Sequence, residues 1–435
     1  MAGRSATDIA IAIEREITTG VLSPGSKLTP VRQLAADLGV SPTTVASSYR
    51  RLRDRGLVVG TGRQGTRVAP QSNPLPPQPI VVPANTIDAI SGNPDPQYLP
   101  SLAAAIAATE SSDTAQYGGP LVDSTLKSVA TALFTADGID STNITVSSGA
   151  MDAVQRVIEA QEFRAGDRIG VEDPGHIPVH QLVRRAGLEL VPIPIDQAGM
   201  TPTGLRAALA TGLAAVIVTP RAQNPTGAAF TTARAAELNS VLAEYPNTAL
   251  LLDDHAGGIS GVPFVGLDAP GRRWATIRSL GKALGPDLRV ALVAGDELTI
   301  NRVSLSISNG PGWVSHILQR AAAHLLTDQP ATSLVQAAAE SYAARRQRFI
   351  ELLASNGIAG FAASGFNVWI PVADEQAAVE AARAAGFAVR AADPYRVASA
   401  PAVRVTLSLL DDAACQRLAA AIGSHIGEPA MSPAI

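Results

Sequence analysis

Five short motifs place chemically able side chains in a fixed order along the middle of this chain. Ser147-Ser148-Gly149-Ala150 follows an apolar run and opens a helical stretch, whose first N–H groups can cradle a phosphate. Glu172-Asp173-Pro174-Gly175-His176 ends the next run and presents a flat imidazole ring. Gln223-Asn224-Pro225-Thr226-Gly227 puts an amide at a turn, and Leu252-Asp253-Asp254-His255 puts carboxylates at another run's end. Ser279-Leu280-Gly281-Lys282 supplies an amine, with Arg289 seven residues on. A lone lysine or Asn-Pro turn is usually just surface. The ordered set is a far stronger sign of one site.

The elements that must position these groups read as alternating strands and helices. Ile144-Thr145-Val146, Arg168-Ile169-Gly170-Val171, Ala215-Val216-Ile217-Val218 and Ala249-Leu250-Leu251-Leu252 have the apolar character of buried strands. Helical stretches such as 150–161 and 232–244 lie between them. That alternation predicts an α/β fold with a parallel-rich sheet and function at the strand ends. From about residue 312 the pattern changes to a long helical region (313–326, then 335–356) followed by short strands. The expected body therefore spans 87–430, with a large α/β part over about 115–310 and a smaller α+β part over about 311–430.

The 435 residues, 46% hydrophobic and 17% charged, suffice for two or three folding units. One cysteine, Cys415, excludes an internal disulfide framework and fits a reducing compartment. The opening MAGRSATDIAIAIER carries charges within its apolar stretch and reads as an amphipathic helix, not a signal peptide. No apolar run is long and charge-free enough to span a bilayer. A cytoplasmic location with no membrane partner is the expectation.

Charge is unevenly distributed. Residues 1–70 hold ten Lys/Arg against five Asp/Glu, a balance of +5, whereas the remainder holds 24 against 33, a balance of −9. A basic head on an acidic body is the footprint of a nucleic-acid-binding module on a regulatory one. Helix signals in the head carry that reading further. Thr29 is placed to cap one helix, with Pro30 at its first position, and Gly39 ends it in a tight turn. Ser41 caps a second, again with proline (Pro42) next, and Val45, Tyr49 and Leu52 face inward. Two short helices joined by a glycine turn make a helix-turn-helix. Thr43, Thr44, Ser47, Ser48 and Arg51 would then face bases and phosphates in a major groove, with Arg32 as a further contact. Residues 57–59 and 66–68 read as two strands joined by a glycine-rich basic hairpin, a wing that carries Arg63. The other reading of residues 1–70 is a small helical protein-interaction domain. After it, residues 71–86 form a proline-rich tether of 16 residues, with a reach of roughly 50 Å if extended.

The segment from GVLSPGSKL through GTGRQGTRVAP resembles the GntR family of bacterial regulators. Thr29-Pro30 stands where that family usually has Pro-Ser, and Pro42 where it often has Arg or another polar residue, a departure that removes an expected DNA contact. The body motifs resemble the fold-type I, class I aminotransferases. The chain as a whole, over nearly all of residues 5–425, is similar to the MocR branch of GntR regulators, which fuse the two modules. The resemblance implies a pyridoxal 5'-phosphate cofactor. It makes Lys282 the Schiff-base lysine, Asp253 the partner of the pyridinium nitrogen, and Asn224 a hydrogen-bond partner of the ring hydroxyl. Ser148, Gly149, Ala150, Ser279 and Arg289 would hold the phosphate, and Tyr117 of QYGGP would reach the same phosphate across a homodimer. Arg404 of VRVTLSLL matches the arginine that grips a substrate α-carboxylate. His176 stands where Tyr, Trp or Phe usually stacks on the ring, and His255 where a Tyr commonly reaches the ring hydroxyl. AMDAV stands where MocR proteins often show a Gln pair. Asp254 reads equally as a cofactor contact or as a structural or solvated carboxylate.

Three functions fit these residues. The first is a pyridoxal-phosphate-binding regulator of double-stranded operator DNA that senses the cofactor itself or an amino-acid-like compound. The second is an active aminotransferase with an accessory DNA-binding head, and the third a regulator whose body only dimerises. Lys282, Asp253, Asn224 and Arg289 together argue against the third, and the helix-turn-helix argues for the first. No metal site is expected.

Overall fold

Turn residues divide the N-terminal head into three helices and a hairpin. The computed structural model describes residues 5–18, 21–54, 57–60, 65–69, 81–109 and 115–423. Helices α1 (Ala6–Thr18), α2 (Val31–Leu38) and α3 (Pro42–Asp54) precede strands β1 (Val58–Val59) and β2 (Arg67–Val68), which pair antiparallel. Ile9, Ile13, Ala35, Val45, Tyr49, Leu52, Val58 and Val68 form one apolar core beneath them. Gly39 takes φ +64° and returns its N–H to Ala35 and Ala36, the left-handed cap that frees the chain to turn. The Ser41 hydroxyl accepts from Thr44 N at 3.1 Å and so caps α3.

Two expectations for the head need correction. Thr29 does not cap α2: Pro30 occupies the cap position in extended backbone, with no side-chain cap bond. The Thr29 carbonyl accepts from the Tyr49 hydroxyl at 2.6 Å. Ser48 is fully buried and donates to the Val45 carbonyl at 2.8 Å, so it does not face DNA. Its place between Val45 and Leu52 at helical spacing puts it on the inner face. Arg63 lies outside the described residues.

In the body, long apolar runs become the strands of one sheet. β3 (Ile87–Asp88) comes first, and β4 (Ile144–Ser147), β5 (Arg168–Asp173), β6 (Glu189–Asp196), β7 (Gly199–Met200), β8 (Leu213–Val218), β9 (Ala249–Asp254), β10 (Trp274–Ser279) and β11 (Ala291–Gly295) follow. β4 to β11 form one eight-stranded sheet in the order β4-β11-β10-β9-β8-β5-β6-β7. The central pairs β10·β9, β9·β8 and β8·β5 are parallel, and β11 runs antiparallel to β10 and β4. Parallel strands buried on both faces need continuous apolar sequence, as in Leu213–Val218 and Ala249–Leu252. Helices such as Ala150–Ala160, Pro202–Leu209 and Thr232–Ala243 supply the crossovers.

The smaller part is built on β12 (Asn367–Pro371), β13 (Phe387–Ala388), β14 (Arg390–Ala391) and β15 (Ala402–Thr406). β15 lies between β12 and β14 in an antiparallel sheet, while β13 pairs parallel with β3 from the start of the body. A changeover near residue 311 is too early. Helix His316–Thr327 and the first half of helix Gln329–Ser355, through Tyr342, pack in the large core; Phe349 and Leu353 pack in the small one. One 27-residue helix thus crosses both cores, a sharing that periodicity cannot reveal. Among the described residues no helix is long and apolar enough to cross a membrane.

Candidate functional site

Strand ends bring the five motifs together. β9 delivers Asp253 and Asp254, and because successive residues of a strand point to opposite faces their environments diverge. Asp254 is fully buried and takes Arg221 on both oxygens (2.8 and 2.9 Å) and Arg278 Nε at 2.7 Å. Burial pushes its pKa up, but those two guanidinium groups outweigh burial and hold it below the ordinary value. It is therefore a structural carboxylate. Asp253, 3% exposed, has no hydrogen-bond partner for Oδ1. Burial, with the neighbouring Asp254 charge, raises its pKa to about 7. A buried carboxylate left short of a donor is costly, and a protonated ring nitrogen is a donor that would satisfy it.

Lys282 follows β10 on the one-turn helix Gly281–Leu284. Its Nζ donates to the Gly92 carbonyl and lies 5.8 Å from the Phe366 ring centroid. Burial and the Arg404 charge lower its pKa to about 8, so an appreciable fraction is neutral near pH 7.5. Asn224 and Arg404 meet: the guanidinium donates to Asn224 Oδ1 at 3.2 Å and also to the Ile90 carbonyl. Arg404 Nε is buried without a partner, and its guanidinium carbon sits 5.3 Å from the Tyr395 ring. His176 and His255 lie nearly parallel, centroids 6.3 Å apart and planes within 16°. Burial, reinforced by Lys282 among other charges, lowers their pKa values to about 3 and about 4, so both rings are neutral.

The start of helix Ala150–Ala160 brings Gly149, Ala150 and Arg289 together. Its cap is Gly149 (φ +106°), and no side chain caps the helix. The Arg289 guanidinium donates to the Ser148 carbonyl at 2.7 Å and lies against Gly149 so closely that a Cβ there would clash. Ser148 N is taken by Asp152 at 3.0 Å, leaving Gly149 and Ala150 to offer backbone N–H groups. Ser279 Oγ accepts from Gly281 N at 3.3 Å and retains its own proton for a ligand. Tyr117 is 94% exposed, with its ring on Trp313 at 5.3 Å, so it is not folded into this chain's own site.

Sequence reasoning missed two contributors. The Ile90-Ser91-Gly92 backbone accepts from both site cations, and backbone carbonyls carry no residue-type signal. Glu172, buried at the end of β5, is bonded by Gln223 Nε2 at 3.3 Å. Burial raises its pKa to about 8, the Asp253 charge adding to the rise, so it stays largely protonated at neutral pH. Its place in the same motif as His176 was the available clue.

In the head, Arg32 and Thr43 are exposed, and Thr44, Ser47 and Arg51 are partly so. The Thr43 and Thr44 hydroxyls lie 2.6 and 2.8 Å from Ser41 Oγ, which sets their orientation at the start of α3.

The comparisons agree with both halves. Residues 5–68 match the model of the bacterial regulatory proteins of the gntR family, and residues 86–422 that of class I and II aminotransferases. The chain is 37% identical over 424 residues (97% of it, 98% of the relative) to the vitamin B6 salvage pathway transcriptional repressor PtsJ of Salmonella typhimurium. This chain is a MocR-type member of the GntR family. It is 27% identical over 350 residues to the pyridoxine biosynthesis transcriptional regulator PdxR of Corynebacterium glutamicum (78% and 72% of the two chains). The body of this MocR-type regulator has the aminotransferase fold. It matches Pyrococcus horikoshii kynurenine aminotransferase at TM-score 0.69 and 21% identity, over 78% of this chain and 91% of that one. Thermus thermophilus aspartate aminotransferase matches at TM-score 0.68 and 20% identity, over 78% and 96%.

Proposed function

We propose that this regulator holds pyridoxal 5'-phosphate at Lys282 and alters its operator affinity according to what occupies that site. The buried Asp253 carboxylate with its unpartnered oxygen carries the reading, because a protonated pyridine nitrogen is the donor it lacks. When bound, the cofactor supplies an aldehyde for covalent attachment and an electron-withdrawing ring. The chain's own residues do the rest. Lys282 offers a partly neutral amine, Asp253 keeps a proton on the ring nitrogen, and Asn224 offers its amide to the ring hydroxyl. The Gly149 and Ala150 amides, Ser148, Ser279 and Arg289 would hold the phosphate, the neutral His176 would stack on the flat ring, and the neutral His255 would reach the ring hydroxyl. Tyr117, exposed in one chain, serves the partner's phosphate in a homodimer.

The effector is vitamin B6 itself on this reading, supported by the B6 roles in the names of the two relatives. A second version is favoured by the Arg404 guanidinium stacked on Tyr395, which is ready for a carboxylate-bearing amine. Lys282 belongs to the large part and Arg404 to the small part, and both donate to the segment 90–92 that continues from the tether. A ligand that takes these two cations releases that segment, a differential contact of the kind population shift requires. Two measurements test the reading. Borohydride is expected to fix the cofactor on Lys282, and Lys282→Ala to abolish visible absorbance with the fold intact. Operator affinity is expected to differ between apo and holo protein at one salt concentration. Fixation on another lysine defeats the site, and equal affinities leave only the amine-sensing version.

A further inference from the structure

The loop between β14 and β15 is pinned by two buried carboxylates, one from each part of the body. Glu375 belongs to the small part; it accepts from Asp393 N at 2.8 Å and Ala402 N at 3.2 Å, and pairs with Arg396 at 2.9 Å. Asp173 comes from the large part, at the end of β5. It is 5% exposed and accepts four bonds: Val397 N at 2.8 Å and Ser399 Oγ at 3.0 Å on one oxygen, Ala398 N at 2.8 Å and Ser399 N at 2.9 Å on the other. Two residues on, Gly175 N donates to the Tyr395 carbonyl at 2.9 Å. The same short stretch therefore holds both ends of Tyr395–Ser399. Tyr395, 3% exposed, is the ring on which the Arg404 guanidinium rests.

From this geometry we infer that Asp173 is a positioning residue that sets the site's preference for amines bearing a carboxylate. It acts through the Tyr395–Ser399 loop, which fixes the guanidinium of Arg404. The inference rests on the reading of Arg404 as the carboxylate grip. Arg404 is held on its other side by Asn224 and the Ile90 carbonyl. A planar guanidinium recognises a carboxylate only when its plane is fixed, and the Tyr395 ring is the surface that fixes it. Three backbone N–H groups converging on one carboxylate also leave Asn no equivalent, since its NH₂ would face donors.

The test uses the full-length protein loaded with pyridoxal phosphate, titrated with L-alanine and with ethylamine. The two differ only in the carboxylate, and the visible absorbance of the bound cofactor reports each. Wild type is expected to favour L-alanine. Asp173→Asn is expected to shrink that preference by about tenfold, from the loss of charge-assisted bonds, while cofactor and ethylamine affinities hold within about twofold. Hydrogen exchange at amides 397–399 is expected to accelerate in the same variant. Ser399→Ala removes one of the four bonds and keeps the carboxylate, so it is expected to shrink the preference by about threefold. An unchanged alanine-to-ethylamine ratio in Asp173→Asn overturns the inference, even if the amides open. Should that variant not fold, an unchanged ratio in Ser399→Ala does so. No preference in wild type instead overturns the carboxylate reading of Arg404 beneath it.

Discussion

Two buried groups whose proton affinities move toward each other dominate the site at the scale of single residues. Lys282 is lowered to about 8 by burial and Arg404, and Asp253 is raised to about 7 by burial and Asp254. Only the neutral amine attacks an aldehyde, so cofactor capture is expected to quicken as pH rises toward 8 and to level off above it. An ordinary lysine would keep gaining to about 10.4. Stopped-flow absorbance after mixing with pyridoxal phosphate reads this, and a rate still climbing at pH 9.5 would count against it. Asp253 gives a stability prediction of definite sign. Its folded pKa lies above its unfolded value, so its contribution is full below about pH 4 and lost as pH rises through about 7. Asp253→Asn is expected to stabilise the cofactor-free protein above pH 7 and to flatten that loss. Cofactor affinity is expected to fall by about tenfold or more in the same variant. Melting curves of the apo variant and a cofactor titration measure the two halves. A variant less stable than wild type at pH 8 would show that the carboxylate is paired after all.

At the scale of elements, helices α2 and α3 separate groups that the sequence reading places together. Arg32 and Arg51 lie on faces open to solvent at least in part, and Ser48 is sealed against Val45. Arg32→Ala and Arg51→Ala are each expected to lower the slope of log operator affinity against log salt by about 0.9, one phosphate contact apiece. Ser48→Ala is expected to leave both slope and affinity unchanged, at a modest cost in head stability from its lost bond to Val45. Titrations at three salt concentrations check all three, and a loss of affinity in Ser48→Ala would put that residue back on the DNA face. The β9 strand end shows the same separation. Asp253 and Asp254 are adjacent in sequence, yet alternation sends one to the candidate cofactor site and the other to Arg221 and Arg278.

For the whole molecule the question is what two recognisable modules do in one chain. Nothing in an aminotransferase body calls for a basic helix-turn-helix, and nothing in the head calls for a buried amine such as Lys282. Their joint presence, with the family to which the chain belongs, fits a transcription regulator that carries an aminotransferase-like body. The isolated body, residues 81–435, is expected to bind operator at least a hundredfold more weakly than the full chain, because specific binding exceeds non-specific by ~10³ or more. A body that retains operator affinity would relocate the DNA site. Sedimentation of the full chain is expected to show a dimer, in which two heads read two half-sites and exposed Tyr117 lies at the partner.

By itself the sequence determined the class of each half, because that information is local. Apolar runs at 215–218 and 249–252 read as buried strands, and they lie within β8 and β9. Ser41 with Pro42 marks a helix start, and Gly39 marks the preceding helix end. The order of strand-end motifs likewise made Lys282, Asp253, Asn224 and Arg289 candidates for one site. Tertiary structure decided what depends on residues far apart in the chain. It buried Ser48 and moved the α2 cap from Thr29 to Pro30. It carried the large core through Tyr342, past the expected boundary, and sent Asp254 to arginines 33 and 24 residues away. It also laid the 90–92 backbone across Lys282 and Arg404, and closed Asp173 on a loop 224 residues later. Partners at such distances leave no periodic or spacing signal, because a hydrogen bond asks only for a donor, an acceptor and a direction, and the fold alone supplies the direction.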